Sequence, residues 1–266
     1  GDIRDRRRLM LALRGVDIVV HAAAMKHVPI AEYNPSEAVQ TNIDGALNLI
    51  DACLERNVET LVALSTDKAV SPVNLYGATK LCMEKLFVAA NSYSGATGTR
   101  FDLVRYGNVI GSKGSVVPLF QRQKEQGELT LTEPSMTRFW ITMAQAVELV
   151  LEALGAGRGG ETLIPKLPAC TVEDLAVAIA PDVPRRVIGI RPGEKFHECL
   201  ITADESRHVV EYDRYFVIQP NYPWWGEDER RDGKPVEAGF AYTSDKADML
   251  TVGEVRSLLT ELGFIS

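Results

Sequence analysis

Thr60-Leu61-Val62-Ala63-Leu64-Ser65-Thr66-Asp67-Lys68-Ala69, with Asn74-Leu75-Tyr76-Gly77-Ala78-Thr79-Lys80 shortly after it, decides how the chain is read. Thr60 to Leu64 is a short apolar run, the pattern of a buried strand. Ser65 to Ala69 ends it with polar groups. Tyr76 to Tyr93 then carries Ala78, Leu81, Cys82, Leu86, Ala89 and Tyr93 along one side at helical spacing. A buried strand, a polar turn and a long helix make half of a parallel crossover unit.

The alternation continues on both sides. Asp5 to Arg14 is a charged amphipathic segment with Leu9, Leu11 and Leu13. Asp17 to Ala22, after Gly15, predicts a buried strand. Pro35 to Arg56 predicts a helix, with Val39, Ile43, Leu47, Ile50 and Leu54 in register and proline in the first turn. Phe101 to Tyr106 predicts a third strand. Beyond Gly107 glycine, proline and serine become dense and the elements shorten. The expected class is α/β: a doubly wound parallel sheet, Rossmann-like and incomplete at its N-terminus, with a smaller substrate-binding α/β region. The expected division is a dinucleotide-binding core over 1–115, then a substrate-binding region and C-terminal tail over 116–266. Thr251 to Leu262 predicts a last helix. Pro220 to Gly239, with Trp224 and Trp225, has no assigned structure.

Charge and composition narrow the classes. Lys and Arg number 29 and Asp and Glu 36, a net charge of −7, which argues against nucleic-acid binding by bulk electrostatics. An anionic ligand would be held by a few local cations. Hydrophobic residues make up 45% of the chain, enough for a core. Cys53, Cys82, Cys170 and Cys199 are scattered without a C-x-x-C pair, so neither a zinc site nor a redox pair is expected, and no metal. No apolar run approaches the roughly 18 residues of a membrane span, and no signal peptide opens the chain. A cytoplasmic protein with reduced thiols is expected, without nucleic-acid or membrane partners.

Several constellations carry chemistry. Tyr76 and Lys80 stand one helical turn apart on one face. A phenol with a pKa near 10 is too weak a base at neutral pH; an adjacent ammonium and a cationic nicotinamide would favour its phenolate. Alone, Tyr-x-x-x-Lys also arises in helices by chance. Asp67 and Lys68 follow a strand at the end where open α/β sheets bind ligands. They read as an acid–base pair, or as an ion pair at a loop start. His21-Ala22-Ala23-Ala24 reads as close backbone approach to a ligand, or as helix–strand packing with His21 a packed strand-end residue. Lys26 and His27 lie in a loop. Arg105-Tyr106-Gly107-Asn108 ends in a turn that brings Asn108 near a ligand, or is simply a turn. Arg138 and Arg191 are candidate diphosphate forks or surface residues. Gly114-Ser115 reads as a ligand-facing helix start or as an N-cap.

Together, Leu64 to Ala69, Asn74 to Lys80, Arg105 to Asn108, Thr137-Arg138-Phe139-Trp140 and Ile190-Arg191-Pro192-Gly193-Glu194-Lys195 resemble the extended short-chain dehydrogenase/reductases. The chain is most similar to their polysaccharide-biosynthesis branch, and within it to the inverting UDP-N-acetylglucosamine 4,6-dehydratases of pseudaminic acid biosynthesis. Retaining, membrane-anchored members carry Met where Tyr76 stands. The resemblance runs from Gly1 to about Gln219, with Tyr242-Thr243-Ser244 onwards also similar.

The resemblance implies a carbon–oxygen lyase that uses NADP, or NAD, and works as a homo-oligomer, a hexamer or similar assembly. Tyr76 and Lys80 would serve the 4-hydroxyl oxidation, Lys68 the proton on carbon 5, Asp67 the departing 6-hydroxyl, with Thr66 against the 4-hydroxyl region. Asp2, Ile3, Ala22, Ala23, Leu64, Ser65, Tyr76, Lys80 and Val109 would line the cofactor. Lys26 and Asn108 would meet the substrate, Arg138 and Arg191 the UDP diphosphate, and Glu194 the ribose.

The departure is at the front. The family's first strand, glycine-rich turn and second strand, on the order of 60 residues, fall before Gly1. The economical expectation is an N-terminally shortened part of a longer gene product, which alone would hold the cofactor poorly. The alternatives are a retaining dehydratase or UDP-sugar epimerase, and an inactive fragment that binds UDP-sugar.

Overall fold

The computed structural model describes residues 1–95, 98–220 and 233–265; Trp224 and Trp225 lie outside them. The chain forms two compact units. The first contains Gly1–Tyr106, Val147–Lys166 and Leu200–Ala241, the second Gly107–Ala146, Leu167–Cys199 and Tyr242–Ser266.

The first unit is built on a sheet whose leading strands are β1 (Ile18–His21), β2 (Thr60–Thr66) and β3 (Arg100–Tyr106). They run parallel in that order, Ile18 opposite Thr60 and Thr60 opposite Arg100. Strand Thr162–Pro165 adds in parallel beside Leu103 and Val104. Tyr215–Ile218, Val209–Glu211 and Lys234–Pro235 then extend the sheet antiparallel. The helices before β3 are α1 (Arg6–Ala12), α2 (Val28–Tyr33), α3 (Pro35–Val39), α4 (Gly45–Arg56) and α5 (Leu75–Ser94). Leu49, Ile50 and Cys53 of α4 and Met83 and Phe87 of α5 pack on Leu61, Ala63, Phe101 and Leu103. On the other face Val62, Val104 and Leu163 meet Leu149, Ala153 and Val217. A sheet covered on both faces is what near-continuous apolar strands require, and the doubly wound α/β expectation holds.

Three expectations change. β1 is not fully buried: Ile18 is 54% and Val20 47% exposed, while Val19 joins the core and His21 is buried. Its side chains alternate, Val19 and His21 packing toward the core while Ile18 and Val20 lie on the opposite side. The helix from Pro35 to Arg56 is interrupted by a π-turn at Gln40–Asp44 between α3 and α4. There the buried Asn42 receives the Met25 N–H at Oδ1 (2.8 Å) and donates from Nδ2 to the Met25 carbonyl (3.1 Å) and Thr79 Oγ1 (2.9 Å). π-turns often accompany such functional constraints.

The division also differs from a single cut near residue 115. The first unit is left at Tyr106 and the chain re-enters it twice. The cause is pairing: Thr162 and Leu163 complete the ladder of β3, and a four-residue apolar strand carries no label of the sheet it will join.

One ion cluster ties the returning chain to the sheet. Arg105 of β3 donates to Glu84 of α5 from Nε (3.0 Å) and Nη2 (2.7 Å), and to the Leu200 carbonyl (2.9 Å) and Glu205 Oε1 (3.0 Å) from Nη1.

In the second unit, Asn108–Val109 runs parallel to Thr137–Ile141, which pairs antiparallel with Ala169–Thr171. Helices Val116–Gln126, Val172–Ile179 and Val252–Glu261 enclose Val117, Phe120, Leu129, Leu131, Leu175, Ile179, Val255 and Leu259. The last helix starts with the Thr251–Glu254 capping box. Among the described residues, no helix is long and apolar enough to cross a membrane.

Phe87 is wholly buried between His21 (ring centroids 5.6 Å) and Phe101 (6.1 Å). Phe87→Ala is expected to cost about 3–5 kcal/mol, read as a lower urea midpoint with an unchanged slope.

Candidate active site

β2 ends at Thr66, which opens the 3-10 turn Asp67–Ala69. Thr66 Oγ1 donates to Asp67 Oδ1 (2.8 Å) and accepts the Lys68 N–H (3.4 Å). Lys68 Nζ donates to the same carboxylate oxygen (3.1 Å). Asp67 is completely buried and Lys68 partly so. The acid and base candidates are therefore in direct contact, with Thr66 completing the cluster.

Asn74 then caps α5, its Oδ1 accepting the Gly77 N–H (2.8 Å), while the Leu75 N–H donates to Glu32 Oε1 (2.7 Å). Two anchors fix where the helix begins, and hence where Tyr76 and Lys80 emerge; both are buried. A Cβ built on Gly77 would stand 2.1 Å from the Lys68 carbonyl oxygen and 3.0 Å from Pro72 Cβ. Glycine is required because the turn and the helix touch backbone to backbone.

Burial acts on the titratable groups of the cluster. Burial pushes the Tyr76 phenol up to about 12, against the downward pull of the Lys68 charge and a hydrogen bond with Thr66. Lys80 Nζ donates to the Leu64 carbonyl (2.6 Å) beside Met83 Sδ (3.0 Å). Burial brings Lys80 down to about 8, with the Glu84 charge opposing. His21 is pushed down to about 3 by burial and then by Lys80, so its ring is neutral. That agrees with a packed strand-end residue.

Around this cluster, Ala22 and Ala23 are exposed at the end of β1, and Leu64 is half-buried. His21 Nε2 and Ser65 Oγ are buried with no protein partner. Lys26 is exposed on the loop that Asn42 pins at Met25. Ile3 packs on α4, where a Cβ at Gly45 would stand 2.6 Å from Ile3 Cδ1. Asn48 Nδ2 holds the Ile3 and Arg4 carbonyls (3.2 and 3.1 Å). Asp2 pairs with Arg4 (2.7 Å), whose hydrogen bonds hold its carboxyl down at about 2.

Asn108, Val109, Arg138, Arg191 and Glu194 belong to the second unit. The two arginines differ there. Arg138 is only 13% exposed. Its guanidinium donates to the carbonyls of Thr137 (2.7 Å), Phe196 (3.2 Å) and Lys195 (3.0 Å). It braces residues 195–198 against strand Thr137–Ile141. Arg191 is 51% exposed, with Glu194 at 3.9 Å, and keeps its fork available. Ser115 caps its helix without a side-chain bond. Among the described residues no cluster of His, Cys, Asp or Glu could hold a metal.

Asn42, Glu84 and Glu198 were not singled out from sequence. Glu198 is buried with Arg138 at 3.8 Å and Lys195 at 3.7 Å. The available signal for Glu84 was its place one helical turn after Lys80; nothing local marks Asn42.

Comparison with known proteins gives the same direction. The family described as "Polysaccharide biosynthesis protein" matches residues 1–220. A UDP-N-acetylglucosamine 4,6-dehydratase (inverting) of Campylobacter jejuni is 51% identical over 254 residues, which cover 92% of this chain and 76% of that protein. A UDP-glucose 4-epimerase of Rickettsia akari is 41% identical over all of this chain and 80% of its own. Among solved structures, Pen from Bacillus thuringiensis superposes with a TM-score of 0.90 at 39% identity, over 100% of this chain and 81% of that one.

Gly77→Ala is expected to force Tyr76 away from the Asp67–Lys68 turn. Turnover should drop at least about 100-fold, the loss typical when a reacting group is displaced by an ångström, with a thermal midpoint lower by a few degrees. Wild-type turnover in a folded Gly77→Ala protein would contradict the backbone-contact account.

Proposed function

We propose, from a chain that belongs to the polysaccharide biosynthesis protein family, that it is a nucleotide-sugar 4,6-dehydratase. Its substrate is UDP-N-acetylglucosamine and its product the 4-keto-6-deoxy sugar inverted at carbon 5. The observation that carries the reading is the contact cluster of Thr66, Asp67 and Lys68 at the end of β2, with the buried Tyr76 on the helix whose first turn touches that turn backbone to backbone.

The reaction needs a nicotinamide dinucleotide, and the residues present fit its reactive end. His21 Nε2 and Ser65 Oγ are buried polar atoms without protein partners at the ends of β1 and β2, beside the small, exposed Ala22 and Ala23. Ala22, Ala23, Leu64, Ser65 and Val109 would hold it, with Asp2 and Ile3 at its adenine. NADP is the proposed form. When bound, the dinucleotide would supply the hydride chemistry, acceptance from carbon 4 and return to carbon 6.

The chain's own groups supply the rest. Tyr76 takes the 4-hydroxyl proton, helped by the Lys68 charge and Thr66; Lys80 supplies a second buried cation. The ketone so formed acidifies the hydrogen on carbon 5. The 3.1 Å contact of Lys68 Nζ with Asp67 Oδ1 is short enough for a proton to pass between them during the reaction. With the proton on Asp67, neutral Lys68 removes the carbon 5 hydrogen and Asp67 protonates the 6-hydroxyl, which leaves as water. Reprotonation of carbon 5 from the opposite face gives inversion. Lys26 and Asn108 contact the sugar, Arg191 and Glu194 the UDP, and Arg138 serves the diphosphate by holding residues 195–198 in place. A homo-oligomer in the cytoplasm is the expected working form.

A second reading, UDP-sugar 4-epimerase, draws on the Rickettsia relative. Incubating the full-length gene product with UDP-N-acetylglucosamine and NADP in deuterated water separates them by proton NMR. A 4-keto-6-deoxy product with deuterated, inverted carbon 5 is expected. Retention at carbon 5 would overturn the inverting subclass, and a 4-epimer without loss of water would overturn dehydration. Tyr76→Phe should slow turnover about 10²–10⁴-fold, and Lys68→Met should abolish exchange at carbon 5.

A further inference from the structure

Lys80 presents an unusual charge problem. Its ammonium is buried, and its bonded acceptors are the Leu64 carbonyl oxygen (2.6 Å) and the weakly accepting Met83 sulfur (3.0 Å). A cation taken out of water needs a counter-charge close by. Glu84 of α5 acts on it and it acts in turn on His21 of β1, while Tyr76 stands one helical turn before it. His21 and Tyr76 are neutral when folded and supply none. Glu84 is buried, four residues beyond Lys80 on the same helix face, where Cβ atoms stand about 5–6 Å apart.

Glu84 cannot turn freely. Arg105 grips both of its carboxylate oxygens, at 3.0 and 2.7 Å, in a bidentate fork. Arg105 is itself balanced by Glu205 at 3.0 Å and fixed by the Leu200 carbonyl at 2.9 Å. Lys80, Glu84, Arg105 and Glu205 thus form a set of two cations and two anions with no net charge.

We propose that Glu84 is the counter-charge that keeps Lys80 an ammonium at working pH, and that Arg105 is the positioning residue that holds Glu84 to this task. The inference rests on the reading of Tyr76 and Lys80 as catalytic. Burial draws the Lys80 ammonium down to about 8 and Glu84 resists that draw. Without the Glu84 charge, Lys80 loses its proton at lower pH, and the cation beside Tyr76 disappears sooner as pH rises.

The test uses the full-length enzyme with two readouts. One is the alkaline limb of the kcat–pH profile. The other is the titration of the Lys80 ε-carbon in protein labelled with ¹³C-lysine, assigned by loss of its signal in Lys80→Arg. Glu84→Gln, which keeps shape and drops charge, should move both midpoints down by about one pH unit, a tenfold change in acidity. Glu84→Asp should leave both near the parent values. A folded Glu84→Gln protein that titrates like the parent would overturn the proposal. Should Glu84→Gln fail to fold, Glu205→Gln, at the partly exposed edge of the cluster, decides. A smaller downward shift supports the proposal and an unmoved Lys80 titration overturns it. If the parent enzyme shows no turnover, the catalytic reading fails, while the carbon titration still judges the role of Glu84.

Discussion

The contact between the Lys68 carbonyl and the α-carbon of Gly77 is the constraint on which the site depends. It leaves no room for a side chain, so the turn after β2 and the first turn of α5 are locked at one separation. Thr66 and Asn74 define the ends of that junction, each as an N-cap. Within it, the turn delivers Asp67 and Lys68 and the helix delivers Tyr76 and Lys80. Two strands' worth of hydrogen bonds on either side of β2 hold the turn in place. Precision here comes from rigid backbone rather than from side-chain length.

Burial is the second organising force, and it acts on Tyr76, Lys80 and His21 in one sense. It drives the Tyr76 phenol up, the Lys80 ammonium down and the His21 imidazolium down. Each shift favours the neutral form, as desolvation requires. A dehydratase needs some of these groups charged, so local counter-charges must work against burial. Lys68 does so for the phenol, and Glu84 for Lys80. The fixed fork of Arg105 matters because a counter-charge acts through distance, and a mobile one would let the balance drift.

What could be read from the sequence, and what could not, follows from the range of each interaction. Tyr76 and Lys80, or Asp67 and Lys68, are close in sequence, so spacing alone brings them together. The strand-to-helix alternation up to Tyr106 was legible for the same reason. Arg105 and Glu84 are 21 residues apart, and Arg105 and Glu205 are 100; no local pattern joins them. Arg138 looked like a ligand fork because guanidinium geometry serves a carbonyl cluster as well as a diphosphate. Its hydrogen bonds to the carbonyls of Thr137, Lys195 and Phe196 could not be read from local sequence.

The threading of the chain through both units has a consequence for synthesis. On a ribosome, β1 to β3 emerge in sequence and can pair at once. Strand Thr162–Pro165, which continues the ladder beyond β3, appears some 60 residues later, and Tyr215–Ile218 later still. Until then the outer side of β3 is an unpaired, apolar edge, the kind that recruits other chains. Such distant pairings form slowly, and over that interval the nascent chain carries an edge open to aggregation. The carboxylate of Glu205 reaches Arg105 only after a further 100 residues beyond Arg105, so the buried charges of Glu84 and Arg105 wait for that segment to be made.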